Sequence, residues 1–130
     1  MRDEGDRPRI WAAAELARLQ RTPELEIAVR HPDGRTGSWT PVWVVVVGAD
    51  VIVRTWQRRE TGWYGGVLRT RAALVRMGDL PVAVAVEPVG DALQAEVDAA
   101  YEAKYGPGGA RSMITAEAVA STLRLVPAGD

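Results

Sequence analysis

The chain lacks cysteine and phenylalanine and has a single histidine among its 130 residues. Without cysteine it forms no disulfide and performs no thiolate chemistry. One histidine excludes a histidine-based metal cluster within one chain and leaves His31 as the only possible base of a Ser-His-Asp triad. His31 precedes a Pro-Asp-Gly turn, so we interpret it as a solvated loop residue. No metal-ligand spacing is present, and the sequence therefore predicts no metal site.

A long apolar run and an excess of positive charge are also absent. The longest run, residues 41–47, is far shorter than the roughly 18 residues of a membrane span. The N-terminal sequence MRDEGDRPRI is not followed by the apolar segment of a secretory signal, so we expect a cytoplasmic protein without membrane contact. A net charge of −1 and a pI near 5.9 argue against nucleic acid as a partner.

The length predicts one domain. Residues 1–9 are charged and show no periodicity, which predicts a disordered N-terminus. We assign residues 10–127 to a single folded domain and residues 128–130 to a short tail.

Alternating apolar residues and turn signals predict six strands, most of them joined as hairpins. The strands are expected at 24–30, 38–47, 51–56, 73–77, 80–86 and 122–127. Helical spacing predicts helices at 11–21, 63–71, 91–105 and 115–120. This order is typical of the α+β class, a small antiparallel six-stranded barrel with one long helix and a few short ones.

Positive charge is concentrated between residues 51 and 78, where six arginines accompany one acid and give a local net charge of +5. The same stretch contains aromatic residues beside glycines. Guanidinium groups suit phosphates and carboxylates, and aromatic faces suit planar rings, so the stretch predicts a pocket wall for a small anionic planar molecule. In the alternative interpretation the arginines are solvated and the aromatic residues plug one end of the barrel. The residues assigned to the pocket are Arg54, Thr55, Trp56, Trp63, Tyr64 and Arg69.

Three segments resemble an uncharacterised bacterial family, a domain of unknown function: Trp63-Tyr64, residues 100–106 (AYEAKYG) and residues 122–127 (TLRLVP). A more distant resemblance covers about residues 33–86 and the last strand. It is to the split β-barrel proteins that bind FMN or deazaflavin, especially the small deazaflavin-dependent nitroreductases. That resemblance implies a split barrel, an FMN or deazaflavin cofactor, and a homodimer with its pocket between two subunits.

In enzymes of that type, the Gly-Arg-rich turn and the loop before the Trp-Tyr pair face the cofactor phosphate. The resemblance therefore marks Arg35 and residues 54–63 as cofactor-binding. This chain departs from the pattern after Gly37, because residues 38–40 (Ser-Trp-Thr) stand where the family usually has a second basic residue. One phosphate clamp is therefore missing from this turn or is supplied elsewhere.

A second group of candidate residues lies on the long predicted helix. Leu93, Val97, Tyr101 and Tyr105 form one stripe toward the core, and Lys104 lies beside it without an acid four residues away. Lys104 then either extends to water, holds an anion, or acts with Tyr101 as an acid-base pair if burial lowers its pKa.

The carboxylates Asp98 and Glu102 are four residues apart on the same helix. Like charges at this spacing usually lie on a solvated face, so we predict an outer helix surface rather than a catalytic pair.

Three functions remain open at this point. The first is a flavin- or deazaflavin-dependent reductase, in which the cofactor supplies the redox chemistry. The second is a cofactor-free module that binds a small ligand or only its own dimer partner. The third is a non-redox enzyme that uses Tyr101 and Lys104 as acid and base.

Overall fold

The structure is a computed structural model, and it describes residues 10–55, 62–77 and 81–128. The predicted disordered segment 1–9 lies outside the described residues, as do 56–61, 78–80 and 129–130. The helices are α1 (Ala13–Arg21), α2 (Trp63–Thr70), α3 (Gln94–Ala110) and α4 (Ala116–Ala120). The strands are β1 (Leu25–Val29), β2 (Thr40–Val42), β3 (Val44–Val47), β4 (Asp50–Val53), β5 (Ala72–Arg76), β6 (Val82–Pro88) and β7 (Leu123–Pro127).

The described strands form one antiparallel sheet in the order β2-β1-β5-β6-β7-β4-β3. Its two end strands, β2 and β3, follow each other in the chain and are separated only by Trp43. One bent segment thus borders both ends of the sheet, which produces a near-closed barrel. The α+β barrel class is confirmed, and the count is seven strands rather than six because the bend at Trp43 divides the predicted strand 38–47.

The predicted hairpins are confirmed by the strand pairing. Strand β1 pairs with β2, β3 with β4, and β5 with β6, all antiparallel. The last strand, β7, lies between β4 and β6 and so joins the β3-β4 hairpin to the rest of the sheet.

Alternate residues of the strands fill the barrel, as the period-two pattern predicts. The main core cluster includes Ile27, Val53, Val75, Val86 and Leu125, which are all buried. Helix α1 contributes Leu19 to the same cluster, and α2 contributes Val67.

The opposite face of β3 and β4 is also buried, because α3 covers it. Val45 and Ile52 form a second cluster with Val97 and Tyr101 of this helix. The predicted stripe of α3 toward the core is therefore confirmed. Covering by α3 explains why the segment around Val45 is apolar on both faces.

Helix α3 changes direction at Gly106, whose φ of 80° and ψ of 159° are not helical. The helix was predicted to end there because glycine adopts positive φ without steric cost. The chain resumes helical conformation from Pro107 to Ala110, beyond the predicted end of the helix. Proline suits this first turn because its missing N–H has no helical acceptor there.

Helix α2 packs closely on β1 at Gly66. A Cβ atom at this position would lie 2.6 Å from Cγ2 of Val29, so the contact requires glycine. This close approach fixes the start of α2, where Trp63 and Tyr64 lie, against the barrel wall.

Within the described part of the chain, none of the helices has the length and apolar character needed to cross a membrane.

Candidate functional site

A pocket of about 500 Å³ opens where the bent strand, the end of β4, the start of α2 and the turn after α3 meet. Pockets of this size are common for small molecules and cofactors. The lining residues in the described part of the chain are Glu24, Thr40, Pro41, Val42, Trp43, Arg54, Thr55, Gly62, Trp63, Tyr64, Ser112 and Met113.

Four predicted site residues meet in this pocket: Arg54, Thr55, Trp63 and Tyr64. Two others lie elsewhere. Arg35 is exposed in the turn between β1 and β2, where its Nε donates to Oδ2 of Asp33 at 2.7 Å. Arg69 is exposed near the end of α2 and does not line the pocket.

Trp56 lies outside the described residues, as do Arg58 and Arg59. Of the other arginines in the basic stretch, Arg71 donates to the Leu68 carbonyl and Arg76 to the carboxylate of Glu26. The +5 charge of the sequence is therefore not gathered at the pocket by the described residues.

Arg54 is the best-anchored residue of the pocket. It follows β4 on the face covered by α3 and is only 1% exposed. Its Nε donates to Oγ1 of Thr122 at 2.8 Å, and its Nη1 donates to Oδ1 of Asp98 at 2.6 Å and to the Met113 carbonyl at 2.8 Å. Arg54 thus joins β4, α3, the turn after α3 and the residue before β7.

The second terminal nitrogen of Arg54 is different. Nη2 is buried and has no hydrogen-bond partner among the described residues. An unmet buried donor typically costs about 1–3 kcal/mol, and more when the group is charged. The Arg54 side chain is 0% exposed, so this nitrogen lies beneath the pocket surface rather than on it.

The aromatic side of the pocket is built by the first residues of α2. Tyr64 is buried and Trp63 is half-buried, with their ring centroids 5.9 Å apart in an edge-to-face arrangement. Their proximity to Gly62 leaves the pocket lined by aromatic surface and bare backbone. Such a wall suits a planar ring.

The charges around the pocket are balanced. Among the lining residues that the structure describes, Arg54 is the single cation and Glu24 the single anion. Asp98 adds a second carboxylate behind Arg54, and its side chain is 25% exposed. The described lining therefore carries no excess of positive charge.

Asp98 corrects one sequence-based expectation. It was predicted to lie with Glu102 on a solvated helix face, and only Glu102 is exposed in this way. Asp98 lies on α3, which packs against β3, and its carboxylate reaches Arg54. Sequence reasoning also missed Thr122 and Met113 as partners of Arg54, and no local signal in the sequence identifies such long-range contacts.

Tyr101, one of the two predicted catalytic residues, holds the bend of the barrel strand. Its hydroxyl accepts from the Arg54 N–H at 3.0 Å and donates to the Trp43 carbonyl at 2.9 Å. The side chain is fully buried and does not line the pocket. Burial raises the pKa of Tyr101 far above the ordinary tyrosine value, and its hydroxyl is a permanent donor at physiological pH.

Lys104, the other predicted catalytic residue, binds backbone carbonyls next to the same bend. Its Nζ donates to the Val44 carbonyl at 2.6 Å and to the Leu19 carbonyl at 3.0 Å. The Tyr105 hydroxyl accepts from the Val44 N–H at 3.2 Å and donates to the Pro23 carbonyl at 2.7 Å. The outer edge of β3 is thereby satisfied by two side chains of α3.

Burial lowers the pKa of Lys104 to about 8 and raises the pKa of Tyr105 to about 12. A lowered lysine pKa is what an acid-base role needs, yet neither Tyr101 nor Lys104 lines the pocket. The structure brings both residues to the strand bend, where Tyr101 contacts the pocket residue Arg54 without lining the pocket itself.

The pKa of Lys104 predicts how stability depends on pH. Between about pH 8 and the unfolded-state value of 10.5, the unfolded chain binds more protons than the folded one. The free energy of unfolding should therefore gain a positive contribution as pH rises through this window. The raised tyrosine pKa values act in the opposite direction only above about pH 10. Urea unfolding at pH 7.5, 8.5 and 9.5 measures how the free energy of unfolding changes with pH.

The matched variant for this measurement is Lys104→Met, which keeps the aliphatic stem and removes the titrating group. The free energy of unfolding should rise less between pH 7.5 and 9.5 in this variant than in the original protein. Equal slopes in the two proteins would show that Lys104 is not desolvated in the folded state.

Among the described residues, no cluster of three or more histidine and acidic side chains is arranged to hold a metal ion. The three segments that resemble the bacterial family nevertheless meet around Arg54. Residues 63 and 64 line its pocket, Tyr101 accepts from its N–H, and Thr122 accepts from its Nε.

Comparison with known proteins identifies the family. The family described as an uncharacterised protein conserved in bacteria, DUF2255, matches residues 15–125. The chain belongs to the DUF2255 family. The predicted membership in a bacterial family of unknown function is thereby confirmed. No curated protein matches this DUF2255 chain in sequence.

Two solved structures share the fold with this DUF2255 protein. The first is the conserved hypothetical protein Rv2991 from Mycobacterium tuberculosis, with a TM-score of 0.53 and 15% identity over 95% of this chain and 85% of that one. The second is described as an F420 reductase, with a TM-score of 0.53 and 18% identity over 86% of this chain and 90% of that one. At such identities the likeness concerns the fold alone, and it agrees with the predicted distant similarity to split barrels.

Proposed function

We propose that this protein binds a planar ring of the flavin or deazaflavin type in the pocket and takes part in a redox reaction. The observation that carries this proposal is a pocket of about 500 Å³ whose described lining includes the aromatic side chains of Trp63 and Tyr64. A bound flavin or deazaflavin would supply hydride transfer, and the protein would supply binding and orientation.

The described residues fit such a ring in three respects. The volume of about 500 Å³ lies within the usual range for ligand sites. Trp63 and Tyr64 provide aromatic surface for stacking and exclude water on that side. Arg54 holds a positive charge beneath the lining, fixed by Asp98 and Thr122, and a charge near a ring tunes its electronic properties.

The fold likeness supports the same proposal in coarse form. One protein of similar fold is described as an F420 reductase, and F420 is a deazaflavin. One fold hosts many functions, so the proposal is argued from the residues of the pocket, and the similarity of fold is secondary support.

A cofactor-free binding module is the second candidate, and one observation favours it. The single cation of the described lining already pairs with Asp98, and Glu24 lies in the same lining. A small neutral or singly charged molecule would fit this balance without any redox chemistry.

Acid-base catalysis by Tyr101 and Lys104 remains a prediction of the sequence, and the pocket lends it no support because neither residue lines it. Activity that survives Tyr101→Phe and Lys104→Met would contradict it.

The homodimer implied by the split-barrel resemblance also remains a prediction. Light scattering of the purified chain across a range of concentrations would test it.

Ligand titration tests the proposed function. Flavin and deazaflavin rings should raise the melting temperature, because a ligand at 100 times its Kd adds about 2.7 kcal/mol to the folded state. Their absorption spectra should change on binding. Trp63→Leu should weaken binding, whereas Trp39→Leu should not, since Trp39 packs against Arg76 and does not line the pocket.

Two results would contradict the proposal. One is the absence of both spectral and thermal change with either ring at high concentration. The other is a loss of binding in Trp39→Leu equal to that in Trp63→Leu, which would place the ring elsewhere. Binding of other small molecules with no response to either ring would favour the cofactor-free module.

A further inference from the structure

The backbone around Trp43 is held in place by side chains of α3. The Tyr101 hydroxyl donates to the Trp43 carbonyl at 2.9 Å. At the next residue, the Val44 N–H donates to the Tyr105 hydroxyl at 3.2 Å, and the Val44 carbonyl accepts from Nζ of Lys104 at 2.6 Å. Because these groups have left the sheet, movement of the bend would leave them without partners.

The indole ring of Trp43 is fixed by a second ring. The ring centroids of Trp43 and Tyr105 lie 4.4 Å apart and their planes differ by 8°, which is a parallel stack. Tyr105 is itself anchored, because its hydroxyl donates to the Pro23 carbonyl at 2.7 Å and its ring stacks on Tyr101 at 5.9 Å. One face of the indole is therefore covered, and the orientation of the ring is set.

Trp43 also lines the pocket, whereas Tyr105 does not. An aromatic ring has two faces, and the stack with Tyr105 occupies only one of them. Trp43 comes from the strand bend, and Trp63 and Tyr64 come from the start of α2, so two separate elements supply aromatic surface to the pocket. A surface that is ordered before binding loses little conformational entropy when a ligand arrives.

We propose that the free face of the Trp43 indole is the platform on which the planar ring stacks, and that Tyr105 is a positioning residue that holds this platform in place. The inference rests on the proposed function and adds to it a binding residue outside the basic stretch of the sequence. The interruption of the strand then has a role in binding, because it places an aromatic side chain at the pocket.

Titration of a flavin and a deazaflavin into variants at Trp43 tests the platform. Trp43→Leu keeps an apolar side chain and removes the flat ring, so the Kd should rise about tenfold, which corresponds to 1.4 kcal/mol. Trp43→Phe keeps a flat ring and should bind within about threefold of the original protein. Trp39→Leu is the matched control, because Trp39 packs against Arg76 outside the pocket lining, and its Kd should not change.

Two variants at Tyr105 test its positioning role. Tyr105→Leu and Tyr105→Phe both remove the hydroxyl, so a difference between them reports the stacked ring and not the hydrogen bonds. Tyr105→Leu should raise the Kd about fivefold, or roughly 1 kcal/mol, the usual contribution of an aromatic pair. Tyr105→Phe should bind as the original protein does. Urea unfolding of each variant shows that the protein titrated is folded.

The outcomes separate the inference from the proposed function. If the rings bind and Trp43→Leu leaves the Kd within about threefold, the inference alone is overturned. An equal loss in Trp39→Leu would also overturn it, and equal Kd values for the two Tyr105 variants would remove the positioning role.

If neither ring binds the original protein, the proposed function fails. Titration of 2-naphthoate, a planar anion without redox chemistry, then decides the inference separately. Binding that Trp43→Leu weakens about tenfold would support the platform for another planar ligand. No binding, or binding that does not depend on Trp43, would overturn it.

Discussion

Replacement of Asp98 by alanine is expected to lower the free energy of unfolding by about 3 kcal/mol. Breaking a buried ion pair by removing one partner usually costs 3–5 kcal/mol, and the lower end applies because the Asp98 side chain is 25% exposed. The cost arises from Arg54, which would remain charged and buried. Urea unfolding monitored by tryptophan fluorescence measures the change.

The double-mutant cycle with Arg54→Met shows whether the pair itself is responsible. Arg54→Met should lower the free energy of unfolding by less than Asp98→Ala does, because the Asp98 carboxylate that remains is in contact with water. The double variant should be more stable than the sum of the two single losses predicts, by about 1–3 kcal/mol for a direct contact. Additive losses would show that Asp98 and Arg54 do not interact in solution.

Removal of the Tyr101 hydroxyl should have the second-largest effect. Tyr101→Phe preserves the ring and leaves the Arg54 N–H and the Trp43 carbonyl without their shared partner. Each unmet backbone group at a buried site costs about 1–3 kcal/mol, so we expect a loss of about 2–3 kcal/mol in the free energy of unfolding. Equilibrium unfolding in urea, with the slope m compared between proteins, provides the measurement.

Tyr105→Phe is the matched control for this variant. The Tyr105 hydroxyl is less buried, and its bond to the Pro23 carbonyl lies at the surface. Its removal leaves the Val44 N–H without this partner, whereas the Val44 carbonyl keeps its bond to Lys104. We therefore expect a loss of only about 1 kcal/mol, the usual net value of one hydrogen bond. Equal losses for the two variants would contradict the assignment of Tyr101 as the buried support of the strand bend.

Several elements of the fold are evident from local sequence. The alternation of Leu25, Ile27 and Val29 predicts β1, because a strand with one buried face must repeat every two residues. Thr115 stands directly before α4, where threonine commonly caps a helix, and its side chain accepts from the Ala118 N–H. Such features depend only on near neighbours in the chain.

The break at Trp43 was not predictable in the same way. Residues 38–47 look like one strand, because all of their side chains from Val42 onward are apolar. The division into β2 and β3 depends on Tyr101, Tyr105 and Lys104, which satisfy the backbone groups at the bend from about 60 residues away. A strand interruption of this kind is stable only where other groups satisfy the backbone N–H and C=O groups that leave the sheet, and here side chains of α3 do so.

The candidate site shows a similar division. Arg54, Thr55, Trp63 and Tyr64 were assigned to a pocket from the combination of charge and aromatic surface, and all four line it. Arg35 and Arg69 were assigned on the same basis and lie outside the lining. A guanidinium group is stable both in water and in a pocket with acceptors, so the presence of an arginine in the sequence does not determine where its side chain lies.

The sequence by itself determined the strand pattern, the helix positions and the family, because these follow from periodicity and from motifs that are read along the chain. Only the tertiary structure decided the use of the polar residues. Packing of α3 across the barrel turned Tyr101 and Lys104 into supports of the strand bend and placed Asp98 beside Arg54. Each of these contacts joins residues more than 40 positions apart, and buried polar groups must be satisfied by whatever the fold brings to them.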